Sequence, residues 1–144
     1  MEKLANDIWI FDGSTVSFFG LPFSTRMIVV KLAGDELWVH SPIELTEQVQ
    51  SQLESLGSVK FLIAPNHLHH LFLPDWISAF PESQVFGTDD VIQKRLDIHF
   101  YASLNSDCIW EWQSDIEQVL FTGSPLMEEC VFFHKQSHTL IVTD

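Results

Sequence analysis

Short apolar runs rich in β-branched and aromatic residues alternate with turn dipeptides in the chain up to His40. The dipeptides are Asp12-Gly13 and Gly34-Asp35. Such pairs between two β-rich runs are typical of hairpins. The pattern therefore predicts antiparallel strands at Ile8–Phe11, Thr15–Phe19, Arg26–Leu32 and Glu36–His40.

After His40 the apolar residues recur at helical spacing. They lie between Gln, Glu and Ser residues and would form one face of a helix: Leu45, Val49, Leu53 and Leu56. This spacing predicts an amphipathic helix, and Gly57 is placed to end it. Two starts are open, because Ser41-Pro42-Ile43-Glu44 has helix-start residues and Thr46 is a second candidate cap.

The run Val59–Ala64 is apolar apart from Lys60, as expected for a strand buried on both faces. Helices are predicted over 71–80 and 91–96, with a strand at Gln84–Gly87 between them. This alternation is typical of parallel βαβ units. Further strands are predicted at Ile109–Trp112, Ile116–Phe121, Cys130–His134 and Leu140–Thr143. Since no linker interrupts the pattern, residues 1–144 are interpreted as a single α/β domain.

Acidic side chains outnumber basic ones by 20 to 7, which gives a formal net charge of -13. A negative field of this kind repels phosphate backbones and anionic lipid, so neither nucleic acid nor a membrane is an expected partner. No secretion signal and no run of membrane-spanning length is visible. Because Cys108 and Cys130 are too few for a disulfide framework, a cytoplasmic location is predicted.

Three histidines lie within four residues, directly after the predicted buried strand, in the segment Asn66-His67-Leu68-His69-His70. Open sheets commonly place ligand sites at such strand ends, and neutral imidazole is a favoured ligand for zinc and iron. A metal site completed by a carboxylate from elsewhere is one interpretation. The other is that these histidines cap a helix, bond to backbone or face solvent. Asn66 itself is predicted to form a turn or cap through its side chain.

This arrangement resembles the metallo-β-lactamase superfamily, in which a His-x-His-x-Asp-His loop follows a buried strand. The nearest likeness is to a divergent branch with an Asn-x-x-His-His-Leu-Phe signature, which is matched here by Asn66, His69, His70, Leu71 and Phe72. The resemblance implies an αββα sandwich. The chain is expected to represent the N-terminal portion of that fold and to be incomplete at its C-terminus.

The resemblance also implies a set of site residues. His67 and His70 match the second and last histidines of the loop, with Pro65 in place of the first and His69 in place of the aspartate. A second register places His67 and His69 on the first two positions. A later metal-binding loop of the family is similar to Gly123-Ser124-Pro125, with Ser124 where a histidine is expected. Asp144, after the last predicted strand, matches the family's bridging aspartate.

Two functions follow from this likeness. In the first, zinc or another divalent transition metal is held by His67, His70 and Asp144, with His69 as a further ligand or proton shuttle. The metal then activates a water that attacks an ester or amide of a small-molecule substrate. In the second, the chain is a catalytically inactive scaffold used for binding or assembly, since Pro65, His69 and Ser124 depart from the ligand pattern. A homo-oligomer formed through apolar surface is a third expectation.

Overall fold

A computed structural model describes residues 1–143 of the protein. In this part of the chain the strands are β1 (Glu2–Ala5), β2 (Ile8–Phe18), β3 (Leu21–Lys31), β4 (Glu36–His40), β5 (Ser58–Ala64), β6 (Gln84–Gly87), β7 (Ala102–Ser103), β8 (Ile116–Phe121), β9 (Glu129–His134) and β10 (Thr139–Ile141). The helices are α1 (Glu47–Leu56), α2 (Leu73–Ala79) and α3 (Asp89–Lys94). Within residues 1–143, no helix is long and apolar enough to cross a lipid bilayer.

The strands form two sheets. Strands β1 to β7 follow one another in spatial order in the larger sheet, and β8, β9 and β10 form the smaller one. Pairing is antiparallel from β1 to β4 and parallel from β4 to β7. The predicted change from hairpins to βαβ units is therefore confirmed.

Alternate residues of the central strands enter two separate cores, because successive side chains of a strand point to opposite faces. On one face, Val39 and Leu62 pack with Leu53 and Trp76 of the helices, and we name this the helix-side core. On the other face, Trp38 and Phe61 pack against residues of the smaller sheet, including Phe132, and we name this the inter-sheet core. The layers are thus helices, large sheet and small sheet.

The first hairpin differs from the prediction at Asp12-Gly13. Strand β2 continues through this dipeptide, where the pairing with β3 shifts register between Asp12 and Thr15. A Cβ on Gly13 would lie 2.4 Å from Thr25 Oγ1 and 2.9 Å from Ile43 Cβ. Gly13 is therefore needed for a close approach in a β-bulge. The turn lies instead at Phe19-Gly20, where φ is 49° and 76°.

Helix α1 begins at the second of the two predicted caps. Thr46 is the N-cap residue, and its Oγ1 accepts a hydrogen bond from Val49 N at 3.2 Å. Gly57 N donates to Leu53 O at the other end, 3.0 Å away, so the predicted stop is confirmed. Ser41 is not part of the helix, which leaves its side chain for another role.

The predicted strand Ile109–Trp112 is wrong, because the chain there turns instead of pairing. Asp115 N and Ile116 N both donate to Trp112 O, at 3.0 and 2.8 Å. The Trp112 ring lies in the inter-sheet core, 5.0 Å from the Phe61 ring and stacked 5.2 Å from Trp110. A turn, and not a strand, therefore brings these large rings into the core. The alternation of apolar and polar residues in the sequence fits both conformations.

The aromatic contacts between the sheets give a test of this packing. Phe132 is 1% exposed, and its ring lies 4.8 Å from that of Trp38, whereas Phe121 on the neighbouring strand is 60% exposed. We expect Phe132→Ala to lower the free energy of unfolding by about 3–5 kcal/mol, since it leaves a cavity in the core. The matched control Phe121→Ala should change it by less than about 0.5 kcal/mol. Urea denaturation measures both, and equal losses would contradict the assigned layers.

Candidate active site

Three loops meet at the carboxyl ends of the parallel strands. Ser41 follows β4, the histidine loop Asn66–Phe72 follows β5, and Thr88-Asp89-Asp90 follows β6. Since the strands run parallel, their ends lie at one edge of the sheet. Side-chain hydrogen bonds join the histidine loop to both neighbouring loops. This edge is where ligands bind in open α/β sheets.

Asn66 holds the histidine loop in place, as its predicted turn role requires. It is 1% exposed, its Oδ1 accepts from Leu68 N at 2.9 Å, and its Nδ2 donates to Thr143 Oγ1 at 3.0 Å. Cys130 N also donates to Pro65 O, 2.9 Å away. The loop is therefore fixed to itself and to the smaller sheet.

The three histidines contact three different partners. His67 Nδ1 lies 3.0 Å from Asp90 Oδ2, and His69 Nδ1 is hydrogen-bonded to Ser41 Oγ. His70 Nδ1 lies 3.0 Å from Arg95 Nη1. None of these partners was identified from the sequence, because each comes from a different loop or helix end. The three histidines are close together in the sequence, but each lies in a different local environment.

Ser41 has an unusual backbone for a serine. Its φ is +57°, a region that residues with a side chain rarely adopt, and a residue before proline normally prefers the extended region. Its backbone N donates to Ile63 O at 2.9 Å, which continues the pairing of β4 with β5 by one residue. From the sequence, Ser41 was interpreted as a possible helix start. The signal that could have marked it as a site residue was its place directly after a predicted strand.

His40, just before Ser41, is buried among aromatic rings. It is 2% exposed, stacks on Trp38 at 5.7 Å and meets the edge of Phe132 at 5.6 Å. Burial, together with a smaller effect of the nearby His69, lowers the pKa of His40 to about 3. Within residues 1–143 its Nε2 is a buried nitrogen with no hydrogen-bond partner. His40 is therefore neutral in the folded protein.

Two cavities meet at the Ser41–His69 pair. The larger, of about 340 Å³, is mainly apolar; its walls include Val16, Phe18, Phe23, Pro42, Leu71 and Phe72. The second, of about 280 Å³, is more polar and is lined by residues that include Arg26, His40 and Thr143. Ser41, His69 and Ser24 line both. A ligand that spans the two cavities would pass directly over the pair.

The family model described as Domain of unknown function (DUF4336) matches residues 5–144. The chain belongs to the DUF4336 family. No curated protein matches it. Among solved structures, TMB-1 is 12% identical with a TM-score of 0.66 and covers 92% of this chain and 64% of its own. A metallo-β-lactamase from Pontibacter korlensis is 13% identical with a TM-score of 0.68, over 92% of this chain and 65% of its own.

This DUF4336 chain therefore spans just under two thirds of the length of these neighbours. Likeness at such low identity shows the fold alone. It confirms the predicted α/β, metallo-β-lactamase-like fold, of which the described residues contain the helix layer and two sheets. The resemblance inferred from the degraded histidine motif is confirmed with it.

The histidines of the loop differ in how well they suit a metal. His70 does not suit one. The guanidinium of Arg95 only donates, so His70 Nδ1 must accept and Nε2 must carry the proton. Burial lowers the pKa of His70, and the charges of Lys94 and Arg95 add to that effect. A nitrogen that keeps its proton cannot ligate, and the adjacent cations repel a metal.

His67 fits a metal better. Asp90 can accept its Nδ1 proton, which leaves the lone pair of Nε2 available, and metal-ligating histidines are commonly held in this way. Within residues 1–143, however, no three His, Cys, Asp or Glu side chains form a group that could hold a metal. Asp144 lies outside the described residues. The set His67, His69, His70 and Asp144 thus stays a prediction, and the Arg95 contact counts against His70.

Ser124, at the position of a family histidine, belongs to an exposed turn. Its Oγ accepts from Leu126 N at 3.2 Å. The hydroxyl therefore serves the local backbone in this structure. This contact is the ordinary role of a serine beside a proline and indicates no ligand function.

The buried, neutral state of His40 predicts a loss of stability in acid. The unfolded chain protonates this side chain near its ordinary pKa of 6.5, whereas the folded chain resists protonation down to about 3. The stabilisation is therefore present above 6.5 and is lost as the pH falls between these values. From about pH 7 to about pH 5, wild type should lose about 2 kcal/mol more unfolding free energy than His40→Gln, which does not titrate. Equal losses by urea denaturation would mean that His40 protonates in the folded state.

Proposed function

We propose that this DUF4336 chain hydrolyses a small-molecule ester or amide that carries an apolar group. The observation that carries the proposal is the junction of an apolar and a polar cavity at the Ser41–His69 pair. Pockets that are mostly apolar with a few convergent polar groups are typical small-molecule sites. The metallo-β-lactamase-like fold is consistent with a hydrolase scaffold.

The lining of the two cavities defines the expected substrate. Phe18 and Phe23 from the β2–β3 hairpin and Leu71 and Phe72 from the histidine loop all line the apolar cavity. Burial of an aliphatic chain there contributes about 25 cal/mol for each Å² removed from water. Arg26 at the polar cavity is paired at 2.8 Å with exposed Asp12. Such exposed ion pairs are weak, so the guanidinium is available to a polar leaving group.

A net charge of -13 disfavours polyanionic substrates, since the field of the protein would repel them. A neutral or singly charged substrate is therefore proposed. The rival function, a scaffold that binds the same ligand without turning it over, is motivated by the incomplete metal motif. It predicts saturable ligand binding with no product.

Blocking the apolar cavity tests the proposed substrate class. Wild type should hydrolyse p-nitrophenyl butyrate at least about tenfold faster than the acetate in kcat/KM, because added methylenes gain apolar burial. Val16→Trp fills the cavity from β2 and should abolish that preference. The matched control Val119→Trp places the same ring on β8, where the side chain is 58% exposed, and should keep the preference. Identical preferences in the two variants would contradict the assignment of this cavity.

A metal-dependent form of the hydrolysis is a second candidate, favoured by the His67–Asp90 contact. A bound divalent metal would supply Lewis acidity for hydrolysis. In this form, zinc or another transition metal is held by His67 with His69 and Asp144. We do not include His70 in the set, because Arg95 occupies its Nδ1.

Elemental analysis tests the metal form. If His67 is a ligand, the purified protein carries about one equivalent of zinc, iron or manganese, and His67→Ala lowers the metal content at least about tenfold. The control His99→Ala removes an exposed histidine outside the loop and should leave the content unchanged. A folded, metal-free wild type, or equal metal in both variants, would contradict this form.

A further inference from the structure

We propose that Ser41 is a nucleophile and that His69 is the base that takes its proton, so that hydrolysis proceeds through an acyl-serine. The inference rests on the proposed hydrolase function and names the reacting groups of the same cleft. It differs from the metal-dependent form, in which water attacks the substrate directly.

The first observation is the hydrogen bond between Ser41 Oγ and His69 Nδ1. A nucleophile and its base within hydrogen-bonding reach are the signature of an activated hydroxyl. The base is itself held, since His69 N donates to Asn66 O at 3.2 Å and Asn66 is anchored to Thr143. These contacts hold the backbone of His69 in place beside Ser41.

The second observation is the backbone of Ser41. A φ of +57° in a non-glycine residue that precedes proline is costly, and residues held in such conformations cluster at active sites. Glycine would satisfy this turn without strain, yet the chain has serine there. The Ser41 N–H···O=C Ile63 bond at 2.9 Å ties the strained residue to the central sheet. The hydroxyl is thus presented from a rigid strand end.

The third observation is access. Ser41 is only 5% exposed overall, but it lines both cavities. A substrate with its apolar acyl chain between Phe18 and Phe72 and its polar end toward Arg26 would place its carbonyl carbon beside Ser41 Oγ. The nucleophile is therefore shielded from bulk water and open to the ligand.

The proposed reaction needs no reagent other than the substrate and water. Ser41 Oγ attacks the carbonyl carbon while His69 Nδ1 takes the hydroxyl proton, and a new C–O bond forms. The bond from that carbon to the leaving alcohol or amine breaks, and His69 returns the proton to the leaving group. Water then attacks the acyl-serine, gives its proton to His69 Nδ1 and displaces Ser41 Oγ, which regains a proton as the acid leaves.

Covalent labelling provides the test. A fluorophosphonate phosphonylates a nucleophilic serine with loss of fluoride, and mass spectrometry of the digested protein locates the adduct. We expect one adduct, on Ser41, and none on Ser24, which lines the same cavities but lacks the bond to His69. His69→Gln should slow the labelling at least about 100-fold, the usual value of a general base.

The variants separate loss of the nucleophile from loss of the fold. Ser41→Gly removes the hydroxyl while it accepts the positive φ, so the protein should keep its thermal stability. It should lose the adduct and at least about 100-fold of the kcat for p-nitrophenyl butyrate. The matched control Ser51→Ala removes an exposed hydroxyl of helix α1 that lines neither cavity, and it should label and turn over within about threefold of wild type.

The outcomes distinguish this inference from the proposed function. Butyrate hydrolysis that survives in Ser41→Gly, without an adduct in wild type, would overturn the nucleophile and leave the hydrolase function standing. A His69-dependent adduct on Ser41 without ester turnover would support the nucleophile and overturn the proposed substrate class. A folded wild type with neither adduct nor turnover would overturn both.

Discussion

The site depends on the parallel backbone pairing of β4, β5 and β6. His40 pairs with Ile63, and Ile63 pairs with Phe86, so the three strands end almost level. The loops that follow them therefore leave the sheet at one edge. Hydrogen bonds from the histidine loop then reach Ser41 on one side and Asp90 on the other. Without this register, residues from three separate parts of the chain would not share a cleft.

The same strands divide the apolar residues between two cores. Burial of Trp38 and Phe61 under the smaller sheet holds that sheet against the larger one. Thr143, beyond the last strand of the smaller sheet, is then in place to accept from Asn66. The order of the histidine loop is thus coupled to packing on the far side of the large sheet, through the buried Asn66 amide and the hydrogen bond from Cys130 N to Pro65 O.

The apolar cavity depends on the β2–β3 hairpin, which supplies several of its walls. A bulge at Asp12–Thr15 allows this hairpin to continue past the point where Gly13 meets Thr25 and Ile43. A larger residue than glycine would separate the hairpin from the segment after β4. The shape of the apolar cavity therefore depends on the absence of a side chain at Gly13.

Much of the fold followed from the sequence, because it depends on local periodicity. The strand Val59–Ala64, the helix ending at Gly57 and the histidine loop between strand and helix were all predicted, as was the metallo-β-lactamase-like class. The turn at Asp12-Gly13 and the strand at Ile109–Trp112 were wrong. In both places a tertiary contact decided the conformation: Gly13 against Ile43, and Trp112 within the inter-sheet core.

The chemistry of the histidine loop was decided by the tertiary structure. The sequence by itself determined that His67, His69 and His70 lie together after a buried strand, and this suggested one shared metal. Folding gives them an acid, a hydroxyl and a cation as separate partners, in Asp90, Ser41 and Arg95. The role of an imidazole depends on which groups face its two nitrogens, and those groups come from distant parts of the chain. That is why the sequence indicated where the site lies, and only the fold showed which residues face one another there.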